Sequence, residues 1–142
     1  MKFFPFFIAA CAGLTSVTSA AQGYPSKPIT MTVPSAPAGS TDIMARLVGE
    51  QLARAMGQPV VIDDKPGASG NIGTEAVARA APDGYTLLMQ YSGYHVGNPA
   101  LFPQIRWSPT KDFAPIAMVM RAPHVIAVSG ALPVTSVKDL IE

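Results

Sequence analysis

The sequence predicts an α/β fold in which a mainly parallel sheet is flanked by helices. Short β-branched runs alternate with segments whose apolar residues have helical spacing, and loops of small residues separate them. This βαβαβ order implies parallel strands joined by right-handed crossovers. With 49% apolar and 13% charged residues among 142, the composition is that of a globular domain. Because the net charge is only +1 and no basic cluster stands out, we expect no nucleic-acid partner.

The first 21 residues have the pattern of a signal peptide. Lys2 precedes an apolar run over residues 3–14, and the small residues 19–21 satisfy the rule for cleavage. The run is shorter than the roughly 20 residues that cross a bilayer, although an uncleaved anchor is the alternative. Cys11, the single cysteine, also resembles a lipoprotein site, but we expect it to be removed with the leader. The leader therefore predicts export.

The first strand is expected at residues 29–33 and the first helix at residues 42–56. In the helix, apolar residues recur every three or four positions. Ser40 or Thr41 is expected to cap its first turn, because a side-chain oxygen there can accept a free backbone N–H. Gly57 is expected to end the helix.

The next elements follow the same alternation. A second strand at residues 60–63 leads into the stretch PGASGNIGTEAVARAAPDGYTLL, which contains a glycine-rich turn. A second helix is expected around residues 72–81, and the sequence PDG at 82–84 is a typical turn. A third strand is expected at residues 85–90.

The glycine-rich turn fits no nucleotide or nucleophile motif. Glycines at 67, 70 and 73 lack the close pair of a dinucleotide fingerprint, and no lysine follows Gly73 as in a phosphate-binding loop. The stretch GASGN at 67–71 also fails the G-x-S-x-G pattern of a nucleophile elbow around Ser69, because Asn71 stands where the second glycine is needed. His95 and His124, the two histidines, have no metal-ligand spacing. We therefore predict no catalytic residue, no metal and no cofactor, and we do not expect an enzyme.

The loops that leave the three strands should form a ligand crevice, since the carboxyl ends of parallel strands share one edge. These loops cover residues 34–41, 64–70 and 91–98 and are rich in Gly, Ser, Thr and Asn. The first two open helices, whose free N–H groups and positive dipole ends favour an anion. A carboxylate suits these weakly charged turns better than a triphosphate. The alternative is that the glycines serve only the turn and the packing of helix on sheet.

The chain resembles the Bug-type receptors, the extracytoplasmic solute-binding proteins of tripartite tricarboxylate transporters. The resemblance rests on PGASGNIG followed by APDGYTLL, and on NPALF, KDFAPIAMV and SVKDLI further along the chain. It implies a lobe like those of type II periplasmic binding proteins. It also implies that the protein captures a small organic carboxylate or dicarboxylate and delivers it to membrane permease subunits. Backbone amides and small polar side chains would hold the carboxylate.

The resemblance further implies which residues bind the ligand. The Gly-Gly-x-x-Asp pattern of the family reads AGSTD here, and Ser35 stands where the family often has an aromatic residue. Asp42 has stabilisation of the helix N-terminus as its alternative role, and His95 has a plain loop role. The implied residues are Ala38, Gly39, Ser40, Thr41 and Asp42 in the first loop, Gly67, Ala68, Ser69, Gly70 and Asn71 in the second, and Ser92, His95 and Asn98 in the third.

Three segments are expected along the chain: a signal peptide at 1–21, the first lobe at 22–122 and the start of a second lobe at 123–142. A strand at 125–128 would open the second lobe, and a capping pair at Ser136 and Asp139 would begin a helix. Because family members continue beyond this point, we expect a part of a longer receptor that binds more weakly alone. The alternative function is a small hydrolase-like α/β enzyme or a ligand-sensing regulator.

Overall fold

Three strands form one parallel sheet in the computed structural model, which describes residues 23–141. They are β1 (Ile29–Val33), β2 (Val60–Asp64) and β3 (Thr86–Leu88), in the order β2-β1-β3. Helix α1 (Ser40–Met56) connects β1 to β2, and α2 (Asn71–Ala78) connects β2 to β3. The predicted α/β class and the βαβαβ order are confirmed. The predicted leader and Cys11 lie outside the described residues.

Strand β1 lies at the centre of the sheet, between β2 and β3. It pairs with β2 from Ile29↔Val60 to Val33↔Asp64, and with β3 around Met31↔Leu87. In a parallel sheet, paired residues point to the same face and alternate along each strand. Met31, Val33 and Leu87 therefore share one face of the sheet. These side chains pack with Ala45 of α1, so this face is the core side of α1.

Helix α1 approaches the sheet closely because small residues face β2. Ala45 is fully buried, and a Cβ added at Gly49 would lie only 3.1 Å from Ile62 Cδ1. The helix ends at Gly57, as predicted, with a left-handed φ of +69° and its N–H donated to Ala53 O at 3.0 Å. Helix α2 covers the other face, where Gly73 touches Pro34 and the backbone of Lys65.

Beyond β3 the chain continues with shorter elements. One π-helical turn at Gly93–Gly97 leads into α3 (Asn98–Leu101), and α4 (Val137–Ile141) lies near the end of the described residues. The N-terminus of α4 is capped as predicted, because Asp139 N–H donates to Ser136 Oγ and Thr135 N–H to the Asp139 carboxylate. None of the helices between residues 23 and 141 has the length and apolar character needed to cross a membrane.

The predicted strand at 125–128 was wrong. Within the described residues no strand forms after β3, and Val125 and Ile126 are 83% and 73% exposed. The local sequence there is apolar, but a strand also needs a neighbour to pair its backbone groups. No such neighbour lies beside it among residues 23–141.

Candidate functional site

The three loops at the carboxyl ends of the strands begin side by side. Hydrogen bonds from Lys65 N to Val33 O at 2.8 Å and from Met89 N to Thr32 O at 3.0 Å extend the sheet to its edge. Helices α1 and α2 leave this edge on opposite faces of the sheet. The gap between β1 and β3 is therefore a topological switch point, where ligands of open α/β sheets bind.

The first turn, residues 38–42, is built around a buried carboxylate. Ala38 has a left-handed φ of +64°, and its N–H donates to Asp42 Oδ2 at 2.7 Å. Asp42 is 3% exposed, and its Oδ1 forms an ion pair with Arg46 Nε at 2.7 Å. Arg46 also pairs with Asp64 at 3.0 Å. The Asp42 carboxylate thus holds the turn and joins α1 to the end of β2.

The predicted side-chain cap of α1 was wrong. The helix begins at Ser40, and Gly39 occupies the N-cap position with φ −73° and ψ 165°. No side chain caps the helix at this position. The N–H groups of the first turn of α1 therefore remain free of a capping side chain, and they face the crevice edge of the sheet.

The second turn, residues 67–71, carries unusual backbone conformations. Gly67, Ala68, Ser69 and Gly70 all have positive φ, with +47° at Ala68 and +54° at Ser69. Such angles cost about 1 kcal/mol or more at residues other than glycine, and strain of this kind concentrates at ligand sites. These four residues turn the chain so that α2 begins with its N–H groups beside the end of β1.

Gly70 lies where the loops approach one another. Its φ is +82°, and an added Cβ would meet the ring of Tyr94 and lie 3.0 Å from Pro34 O. Residues of all three loops therefore converge at Gly70.

Asn71 links the second loop to the third. Its Nδ2 donates to Ala68 O at 2.9 Å, and its Oδ1 accepts from Asn98 Nδ2 and Trp107 Nε1, both at 3.1 Å. Asn98 Nδ2 also donates to Ser69 O at 2.8 Å. Asn98 and Trp107 are 2% and 5% exposed. Both ends of the Asn71 side chain are thus occupied, and this residue shapes the second turn through its partners.

His95 lies in an aromatic cluster rather than alone in a loop. Its ring stacks on Trp107 with 5.7 Å between centroids and meets Phe113 edge-on at 5.3 Å. The ring nitrogen Nε2 donates to Pro109 O at 3.0 Å. Ser92, in contrast, is exposed at the start of the third loop. Within the described residues, no three His, Cys, Asp or Glu side chains form a group able to hold a metal ion.

At or just after the end of each strand lies a buried polar atom without a hydrogen-bond partner in the described part of the chain. These atoms are Ser35 Oγ after β1, Asp64 Oδ1 at the end of β2 and Gln90 Nε2 after β3. Gln90 was missed by sequence reasoning, as were Thr74 and Tyr94. A polar residue directly after an apolar strand, at the predicted crevice, is the signal that could have identified Gln90.

A groove of about 1000 Å³ opens beside β3 and α1. Most of its wall is apolar, with Met44, Val48 and Leu87 among its members. At the crevice it becomes polar, where it is lined by Thr41, Gln90, Ser92 and His95. The groove therefore connects the first and third loops.

Comparisons of the sequence and of the structure with known proteins find the following matches. Residues 44–142 match the family described as tripartite tricarboxylate transporter family receptor, TctC. BugT of Bordetella pertussis is 41% identical over 133 residues, which cover 93% of this chain and 40% of BugT. Rpa4515 of R. palustris, solved with adipate, is 39% identical with a TM-score of 0.72, covering 83% of this chain and 40% of that one.

A second solved structure, MatC from Rhodopseudomonas palustris with bound malate, is 42% identical with a TM-score of 0.65. The match covers 68% of this chain and 33% of MatC. The chain spans less than half of the length of each of these three relatives.

Proposed function

Because this chain belongs to the receptor family of tripartite tricarboxylate transporters, we propose that it is part of a periplasmic receptor that captures a small carboxylic acid. Relatives solved with adipate and with malate support this ligand class. The receptor would deliver the acid to membrane permease subunits without altering it. The 1–21 segment would act as a signal peptide, which N-terminal sequencing of exported protein tests. The first lobe would cover residues 22–122, and 123–142 would begin a second.

The observation that carries the proposal is the pair of helix N-termini at the switch point. Helix α1 begins after Gly39 without a side-chain cap, and α2 begins after the strained turn that ends at Gly70. Free N–H groups and the positive ends of helix dipoles stabilise a carboxylate there. The turns at 38–41 and 68–71 contain no lysine or arginine. A carboxylate, with one negative charge, matches this field better than a phosphate group that carries two.

Each candidate residue has a role in this arrangement. Gly39, Ser40 and Thr41 would offer backbone N–H groups and hydroxyls from the first turn, and Ser69 and Gly70 from the second. Ser92 would contribute from the third loop. The remaining candidates act through position: Asp42, Asn71 and Asn98 hold the turns by the bonds described above, and His95 packs in the aromatic cluster. Ala38, Gly67 and Ala68 provide the backbone bends.

Substitution of Gly39 tests the site without disturbing the fold. Its extended conformation is that of an ordinary N-cap, and an added Cβ would be 3.4 Å from Ala36 O, a normal contact. Gly39→Asp should therefore cap α1 and preserve or raise the melting temperature. Its carboxylate would occupy the N–H groups that bind the ligand and would repel an incoming anion. Gly39→Asn offers a cap of the same size without the charge.

The measurement is calorimetric titration with adipate and malate, alongside thermal melting and a generic esterase assay. Wild-type protein should bind at least one acid and show a ligand-dependent rise in melting temperature. Gly39→Asp should lose binding by tenfold or more, whereas Gly39→Asn should lose less. Undiminished binding by Gly39→Asp would exclude this site, and ester turnover without binding would favour an enzyme.

A further inference from the structure

We propose that Gln90 determines which carboxylic acid this receptor accepts, by donating its side-chain Nε2 to a second oxygen-bearing group of the ligand. This inference rests on the proposed function and deepens it. It assigns Gln90 to the end of the ligand that lies away from the carboxylate bound at the helix N-termini.

Gln90 stands at the switch point between β1 and β3. Strand β3 ends at Leu88, and the Met89 N–H still pairs with Thr32 O of β1 at 3.0 Å. Met89 packs against the core below α1, so the next side chain along an extended chain points toward α2. Gln90 indeed reaches Thr74 in the first turns of α2.

The amide of Gln90 is held by one end only. Thr74 is fully buried, and its Oγ1 lies 2.8 Å from Gly70 O and 3.1 Å from Gln90 Oε1. The hydroxyl proton is thus directed between two acceptors, and the carbonyl end of the amide faces Thr74. Nε2 faces away from Thr74, is buried, and has no hydrogen-bond partner among residues 23–141.

A buried donor without a partner is unfavourable in the free protein, and native structures contain few of them. At a binding site the same donor favours ligands that satisfy it and rejects those that do not. Gln90 lines the same groove as Thr41 and Ser92. Through Thr74 it is also one hydrogen bond away from Gly70, at the start of α2. A ligand bound at the turns would therefore lie close to the Gln90 amide.

The chemistry follows from the donor character of Nε2. A dicarboxylate or a hydroxy acid carries a second oxygen that can accept this hydrogen bond. An aliphatic monocarboxylate of equal length carries none and would leave Nε2 unpaired. The receptor should therefore prefer adipate to hexanoate, and malate should bind through its additional oxygens.

The experiment compares adipate, malate and hexanoate by calorimetric titration of the 142-residue chain and its variants. Gln90→Met keeps the size of the side chain and removes the amide. It should weaken adipate and malate at least tenfold and leave hexanoate nearly unchanged. Gln90→Glu places an acceptor and a negative charge at the same point and should weaken both oxygen-rich acids further. Gln51→Met, on an exposed position of α1, is the matched control and should change nothing.

A second readout needs no ligand. Since Nε2 is unpaired in the free protein and Thr74 retains Gly70 O, Gln90→Met should melt at the same temperature as the wild type or higher. A clear fall in its melting temperature would show that Gln90 serves the fold, which overturns the inference.

The other outcomes separate the two claims. If wild-type protein binds adipate and Gln90→Met keeps the same adipate-to-hexanoate ratio, the inference fails while the proposed function stands. Full adipate affinity in Gln90→Glu would show that the ligand meets an acceptor, which also overturns the donor role. If wild-type protein binds none of the three acids, the proposed function fails and the inference with it.

Discussion

Asn71→Ala should break the link between the second and third loops and lower the free energy of unfolding. The hydrogen bonds that are lost set the size of this effect. Asn71 Oδ1 accepts two hydrogen bonds of 3.1 Å, from Asn98 Nδ2 and Trp107 Nε1, and both donors belong to buried side chains. Each buried donor left without an acceptor costs about 1–3 kcal/mol. Because Asn98 Nδ2 keeps Ser69 O, we expect a total loss of about 2–4 kcal/mol in the free energy of unfolding.

Urea denaturation followed by circular dichroism measures this loss. Gln51→Ala, an exposed truncation on α1, is the control and should stay within about 0.5 kcal/mol of the wild type. Asn71→Asp keeps an acceptor for both donors and loses only the bond to Ala68 O, so it should fall between the two. A change of less than about 0.5 kcal/mol in Asn71→Ala would refute the role assigned to this residue.

Two further predictions concern the turns. Gly70→Ala should destabilise the fold by about 1–2 kcal/mol more than Gly57→Ala, because both positions have positive φ but only Gly70 is covered by the Tyr94 ring; equal effects in urea denaturation would contradict this contact. The Tyr85 backbone N–H, followed by Lys27, holds the pKa of Asp83 below 3.8. The stabilisation that the ionised Asp83 carboxylate gives to the fold should therefore be complete above the pKa of the unfolded state. It should be lost as pH falls through the lower pKa of the folded state. NMR titration of the Asp83 carboxyl group should give a midpoint below 3.8, and a midpoint at or above it would exclude the interaction.

The sheet and its two long crossovers could be predicted because their signals are local. Alternating β-branched runs and helical spacing gave the order of elements, and Gly57 marked the end of α1 to the residue. The short third strand was predicted as 85–90 but extends only over Thr86–Leu88. Its pairing partner β1 ends at Val33, and Pro34 after it has no N–H to donate, which limits how far the ladder can continue.

The candidate site was predictable only in outline. Glycine and serine positions located the turns, but the capping error at Ser40 and Thr41 arose from the conformation of Ala38. With a positive φ, Ala38 directs its N–H toward Asp42. No local sequence pattern predicts this conformation. Asn98 and Trp107 donate to Asn71 from 27 and 36 positions away in the chain, and Pro109 accepts from His95 from 14 positions away. These contacts therefore depend on tertiary packing.

The central claim is that a carboxylate binds between the turns at 38–41 and 68–71, on the N-termini of α1 and α2. Titration of ¹⁵N-labelled protein with adipate, followed through the backbone amide resonances, tests it most directly. The account predicts saturable shifts that are largest at the amides of residues 39–42 and 69–73 and small around Arg54 at the far end of α1. Saturable shifts centred elsewhere, or no shifts with adipate and malate, would contradict it.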